Sequence, residues 1–145
     1  MPDRLPQSVV EEIEVFFASY VRAFADEDAD ALSELWDPVG LFPSPIGNFS
    51  MEREAFRAHC VTLMDFYRQQ GVVRLEGDVL SVDELFPDVV QARIAYRMLD
   101  RDGAVVAEWE HVYILRKSER WRVSLTIADD EMAAWAKRGA DLAPT

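Results

Sequence analysis

The chain carries a single cysteine, Cys60, in 145 residues, so an internal disulfide and a thiolate metal cage are both excluded. Histidine is nearly as scarce, with His59 and His111 the only two. Two imidazoles on different elements fall short of a zinc ligand set, and no metal is expected. Basic residues are outnumbered, 15 against 27 acids, and a net charge of −12 repels phosphate backbones and anionic lipid. Nucleic acid and membranes are therefore not expected as partners. No apolar run approaches the ~20 residues of a membrane span. The start Met1-Pro2-Asp3-Arg4-Leu5-Pro6 lacks the apolar stretch of a secretory signal. A soluble protein of a reducing, cytoplasmic compartment is the expectation. A Gly-rich phosphate loop, a nucleophile elbow and a His-Glu-x-x-His pair are also missing.

What is present is a hydrophobic share of 50% with 11% aromatics, ample for the core of one domain over 1–145. The acid is concentrated: residues 1–37 hold ten acids against Arg4 and Arg22, which reads as the wet face of an N-terminal helix. From Ser8, apolar residues recur at three- and four-residue steps (Val9, Ile13, Phe16, Phe17, Tyr20, Phe24), with Ser8 and Glu11 as a capping box, predicting a helix over 8–25. A short helix over Ala29–Trp36 follows. The next stretch, residues 37–47, contains three prolines and two glycines, which predicts turns with one or two short edge strands. Ser50 is the expected cap of a third helix from Met51 to about Gln70, ended by Gly71. Beyond it the period becomes two. Strands are expected over 72–82, 89–100, 104–117 and 121–128, then a short helix from Asp129 to about Arg138. Helices followed by a long antiparallel meander imply an α+β fold, the helices covering one face of the sheet.

This order and spacing resemble the nuclear transport factor 2-like superfamily, whose ketosteroid isomerases and SnoaL-like polyketide cyclases share a cone-shaped α+β barrel. In that fold, N-terminal helices pack in the concave face of a curved, mostly antiparallel sheet. Three segments carry the resemblance to the ketosteroid isomerase pattern. Tyr20-Val21-Arg22-Ala23-Phe24 resembles the segment with the oxyanion-hole tyrosine, which places Tyr20 there. Glu110-His111-Val112 resembles the segment whose protonated acid completes that hole, which places Glu110 there. Phe42-Pro43-Ser44-Pro45-Ile46-Gly47 resembles the segment of the proton-shuttling base, where this chain has Ser44. A serine hydroxyl without its own activator cannot shuttle protons near neutrality.

The residues themselves leave the phase of the strand over 104–117 open. One face reads Val106, Glu108, Glu110, Val112, Ile114; the other reads Ala107, Trp109, His111, Tyr113, Leu115. The resemblance implies that Glu110 points inward, where burial would raise its pKa and make it a neutral donor or a poised base. Alternatively it pairs with Arg93 or Arg97 on the neighbouring strand and is structural. With Glu110 inward, Glu108 and Asp129 stand at the mouth as weaker acid–base candidates, and Ser44, Trp36, Phe56, Leu125 and Ile127 line the pocket. The row Trp109, His111, Tyr113 then faces out and is the expected contact of a homodimer. With the phase inverted, that aromatic row lines the pocket.

Two functions follow. One is a small-molecule-binding domain, a cofactor-free isomerase, cyclase or dehydratase of a small apolar carbonyl compound. The other is a non-catalytic, dimeric binding or scaffold domain.

Overall fold

The computed structural model describes residues 7–140, the side chain of Asp129 excepted. The N-terminal stretch read above as lacking a signal segment lies outside the described residues. Helices α1 (Gln7–Ala25) and α2 (Ala29–Glu34) lead into strands β1 (Trp36–Ser44) and β2 (Gly47–Glu52), then helix α3 (Arg53–Gln69). The meander is β3 (Arg74–Phe86), β4 (Val89–Leu99), β5 (Val105–Lys117) and β6 (Trp121–Ile127), closed by α4 (Asp129–Ala136). The six strands form one sheet in the order β2-β1-β6-β5-β4-β3, antiparallel throughout except where β1 runs parallel to β6. This is the expected α+β cone, helices on the concave face of a curved sheet. No described helix is long and apolar enough to cross a membrane.

Helix α1 buries Ile13, Phe16, Phe17 and Tyr20 of the predicted stripe, together with Ala23, and half-buries Val9 and Phe24. It crosses β3 at Gly77, where a Cβ would come within 2.9 Å of the Tyr96 ring and 3.1 Å of Val21. Asp28 caps α2 by accepting from the Ala31 N–H at 3.0 Å.

Three expectations need correction. Trp36 belongs to β1 rather than to α2, because its indole is the inward anchor of that strand, buried at 2% exposure. The proline-rich stretch is a full strand inside the sheet, its prolines Pro38 and Pro43 flanked by β2 and by the irregular parallel pairing to β6. Ser50 lies within β2, and α3 begins at Arg53 with Glu52 at the cap position and no side-chain capping bond.

The phase of β5 is the decisive feature. Trp109, His111, Tyr113 and Leu115 are buried at 7%, 6%, 2% and 0% exposure. Glu108 and Glu110 are exposed on the outer face. Burying two large aromatics, an imidazole and a leucine removes far more apolar area from water than burying two carboxylates, which would also need partners. The inverted phase is the one adopted.

Candidate functional site

The concave face, α1, α3 and α4 line a half-open cavity of about 70 Å³. Its apolar walls are Phe24, Phe42, Phe56, Leu75 and Met98. Its polar lining is dominated by tyrosine: Tyr20 from α1, Tyr67 from α3, Tyr96 from β4 and Tyr113 from β5. His59, His111, Thr126 and Glu131 complete it. Beside it opens a groove of about 290 Å³ between the C-terminal ends of α1 and α3 and strand β3, with Arg68 and Arg74 at its sides. Phe24, Tyr67, Leu75 and Met98 line both spaces, so these four side chains form the partition between them.

The cavity's hydrogen bonds fall into four separate buried sets. The Trp36 indole donates to the Tyr20 hydroxyl at 3.1 Å. The Tyr96 and Tyr113 hydroxyls bond each other at 2.8 Å. Trp109 Nε1 donates to His111 Nδ1 at 3.0 Å. Tyr67 donates its hydroxyl to Glu131, and Trp135 Nε1 approaches the same carboxylate oxygen at 3.3 Å. Burial drives every titratable member toward its neutral form. It raises Tyr20, Tyr67, Tyr96 and Tyr113 and pushes His111 down to about 3.

Glu131 is the acid of this site, and sequence reasoning missed it. It is 5% exposed, and desolvation raises its carboxyl to about 7, against the lowering effect of the bonds from Tyr67 and Trp135. A carboxyl at that value exchanges protons readily near neutral pH. The available signal was helical spacing: Glu131 and Trp135 are four residues apart, so they share the face that α4 turns inward.

Of the residues expected at the site, Tyr20 lines the cavity, with its hydroxyl already accepting from Trp36. Phe56 lines it too, and Trp36 packs behind at a tilt, its ring 4.5 Å from that of Phe56. Gly40 makes room for that indole, since a Cβ there would lie 2.8 Å from the ring. Glu110 is not at the site. It accepts from Arg93 at 2.7 Å on the outer face, the structural alternative weighed above. Glu108, on the same face, is also outside, and the Asp129 side chain lies outside the described residues. Ser44 ends β1, where its Oγ accepts from the Ile46 N–H at 3.2 Å, away from the cavity. Leu125 and Ile127 point outward, Ile127 at 43% exposure, because a bulge between the pairs Ile114–Leu125 and Leu115–Val123 shifts the phase of β6 by one residue. Thr126 and Ala128 line the cavity in their place. The Trp109, His111, Tyr113 row is cavity wall, so it is not available as a dimer contact.

His59 and Cys60 take different places on α3. His59 reaches the cavity with a buried Nδ1 that has no hydrogen-bond partner among the described residues, and burial lowers its basicity. Cys60 is fully buried and its thiol is pushed up to about 12, which marks it as packing. No group of three or more potential ligands that could hold a metal occurs among the described residues.

Solved structures share this architecture at low identity. Aln2 from a Streptomyces species superposes with a TM-score of 0.68 at 13% identity, covering 86% of this chain and 92% of its own. A ketosteroid isomerase-like protein from Erwinia carotovora atroseptica gives 0.61 at 18%, covering 81% and 92%. A candidate dehydratase of the NTF2-like family from Streptomyces avermitilis gives 0.62 at 16%, covering 85% and 96%. No curated protein matches the chain. The sequence profile of the family described as NTF2-like protein (DUF6841) matches residues 11–131, and the chain belongs to that family.

Proposed function

We propose that the cone binds a small, largely apolar carbonyl compound and moves a proton on it, with Glu131 as the acid–base group. The observation that carries the reading is a carboxyl buried among aromatics, held by Tyr67 and raised to about 7. Glu131 takes a proton from the carbon next to the carbonyl. The electron pair moves onto the oxygen, and the proton returns to the same or a conjugated carbon. That balance is an isomerisation; where the proton goes instead to a departing β-hydroxyl, which leaves as water, it is a dehydration, and neither needs a cofactor. Neighbours described as ketosteroid isomerase-like and as a dehydratase support the reaction class.

The test is deuterium uptake from heavy water into acetone, cyclopentanone and cyclopentenone, followed by proton NMR. Uptake accelerated by the protein and lost in Glu131→Gln is expected. Acceleration that survives in Glu131→Gln, or none for any of the three ketones, would sink the proposal.

The second reading, a non-catalytic binding domain, is favoured by the cavity's size. About 70 Å³ holds roughly two waters, and is about half of the ~150 Å³ that admits benzene. A larger ligand would have to displace the partition of Phe24, Tyr67, Leu75 and Met98 and extend into the groove. The homodimer proposal moves with the strand phase. On the outer face Leu41 pairs with Leu125, Leu125 with Ile114, and Val112 with Ile127, giving a contiguous apolar row. A dimer on this face would bury that row, and Leu125→Glu tests it by light scattering.

A further inference from the structure

We propose that Trp109 is a positioning residue that holds His111 as its Nε2–H tautomer, so that a neutral imidazole offers one hydrogen-bond donor to a carbonyl oxygen bound in the cavity. The assignment deepens the proton-transfer reading above and rests on it for the identity of the ligand class.

The Trp109 indole has a donor and no acceptor. Its Nε1 lies 3.0 Å from His111 Nδ1, so Nδ1 must accept and cannot carry a proton. A protonated imidazole would set two N–H groups against each other there, and desolvation independently pushes His111 down to about 3. The proton of the neutral ring is therefore on Nε2. The two residues are neighbours on one face of β5, two positions apart, so a single strand builds the pair. The ring is also clamped. It stacks on Tyr113 at 4.6 Å and 16°, with the Tyr96 ring edge-on at 5.8 Å, and turning it over would put Cδ2 in the place of Nδ1 and lose the bond from Trp109.

His111 and Glu131 line the same small cavity. When Glu131 removes the proton next to a carbonyl, negative charge develops on the oxygen, and a fixed N–H stabilises it there without first giving up a proton of its own. The donor that the resemblance assigned to Glu110 is thus replaced by its sequence neighbour, on the opposite face of the strand.

The experiment measures nitrogen-15 shifts of the His111 ring in the wild-type protein and in Trp109→Phe, with carbonyl-labelled acetone as the bound probe. In the wild type, a pyridine-like Nδ1 and a protonated Nε2 are expected, with a downfield shift of the acetone carbonyl on binding. Trp109→Phe should raise the Nδ1–H population about fivefold, the equivalent of one net hydrogen bond, and shrink the carbonyl shift. A wild-type His111 protonated on Nδ1, or charged at pH 7, overturns the proposal without any variant. A Trp109→Phe protein that keeps its amide spectrum and the same tautomer overturns the role of Trp109. Glu131-dependent deuterium uptake beside an Nδ1–H ring removes this assignment alone. The expected tautomer and carbonyl shift without such uptake removes the proton-transfer reading alone.

Discussion

The two sides of β5 place the same kinds of group in opposite solvents. On the outer side Glu110 meets Arg93 at 2.7 Å with both side chains about half exposed. On the inner side, facing the cavity, Glu131 has no cation partner among the described residues, only the Tyr67 hydroxyl and the Trp135 indole. The first carboxylate is met by water and a guanidinium. Burial makes the second an acid that titrates near neutrality. Reactivity in this molecule follows the environment of a carboxyl and not its place in a sequence motif.

The sharpest way to break that contrast is to empty the inner side. Trp135 is fully buried, stacks on Tyr67 at 5.7 Å and 22°, meets Phe66 edge-on at 5.1 Å, and donates to Glu131. Trp135→Ala should cost roughly 3–5 kcal/mol in urea unfolding, the usual range for truncating a buried large aromatic. Ile127→Ala, on the outer face, should stay below about 1 kcal/mol. Equal losses at the two positions would mean that α4 does not close the cone.

The pH dependence of stability comes next in size. The carboxyl of Glu131 is raised from its ordinary 4.5 to about 7, so its contribution is fully present below 4.5 and is lost as pH rises through 7. That loss is roughly 3 kcal/mol. His111 is lowered from 6.5 to about 3, so its contribution is present above 6.5 and is lost as pH falls through 3. Between pH 4.5 and 6.5 the two slopes oppose each other. Urea midpoints of Glu131→Gln should therefore rise with pH relative to wild type, and those of His111→Gln should fall. Variant curves parallel to wild type would return both groups to ordinary, hydrated environments.

How much of this was legible depends on which signals are local. The α1 stripe from Ile13 to Phe24 and the four meander strands were readable, because helical and strand periods are written in neighbouring residues. The phase of β5 was not, since both of its faces carry apolar residues and only packing against the helices decides between them. The resemblance of Glu110-His111-Val112 to a known segment implied the opposite phase. The β6 bulge was equally hidden: period two from Trp121 and Val123 carries Leu125 and Ile127 inward, and one extra residue sends Thr126 there instead. Glu131 was passed over, although its spacing to Trp135 was visible.

A smaller effect sharpens the same comparison among the cavity's hydrogen bonds. Tyr113→Phe keeps the ring that stacks on His111 and removes only the hydroxyl bonded to Tyr96 at 2.8 Å. The buried Tyr96 hydroxyl is then left short of a partner, which should cost about 1–2 kcal/mol. Ser124→Ala removes a hydroxyl bonded to Asp37 at 2.5 Å, on the outer side where Arg116 also holds that carboxylate. Arg116 keeps the carboxylate partnered, and a smaller loss in the same urea series is expected.

The smallest effect belongs to Glu110, and it tests the strand phase most directly. Glu110→Gln removes one half-exposed ion pair, of a kind worth about 0.2–1 kcal/mol. Two features reduce even that. The chain carries a net charge of −12, so losing one negative charge relieves some repulsion. The Glu110 backbone N–H keeps its own acceptor, Asp130 at 2.9 Å, whatever the side chain. Stability should thus change by less than about 0.5 kcal/mol, and the Arg93→Gln, Glu110→Gln double-mutant cycle should lose its small coupling as salt is raised. Deuterium uptake into the ketones should be untouched. If Glu110→Gln instead abolished uptake while Glu131→Gln did not, the donor would be on the face that the resemblance first suggested, and the aromatic row would have to turn outward to let it in.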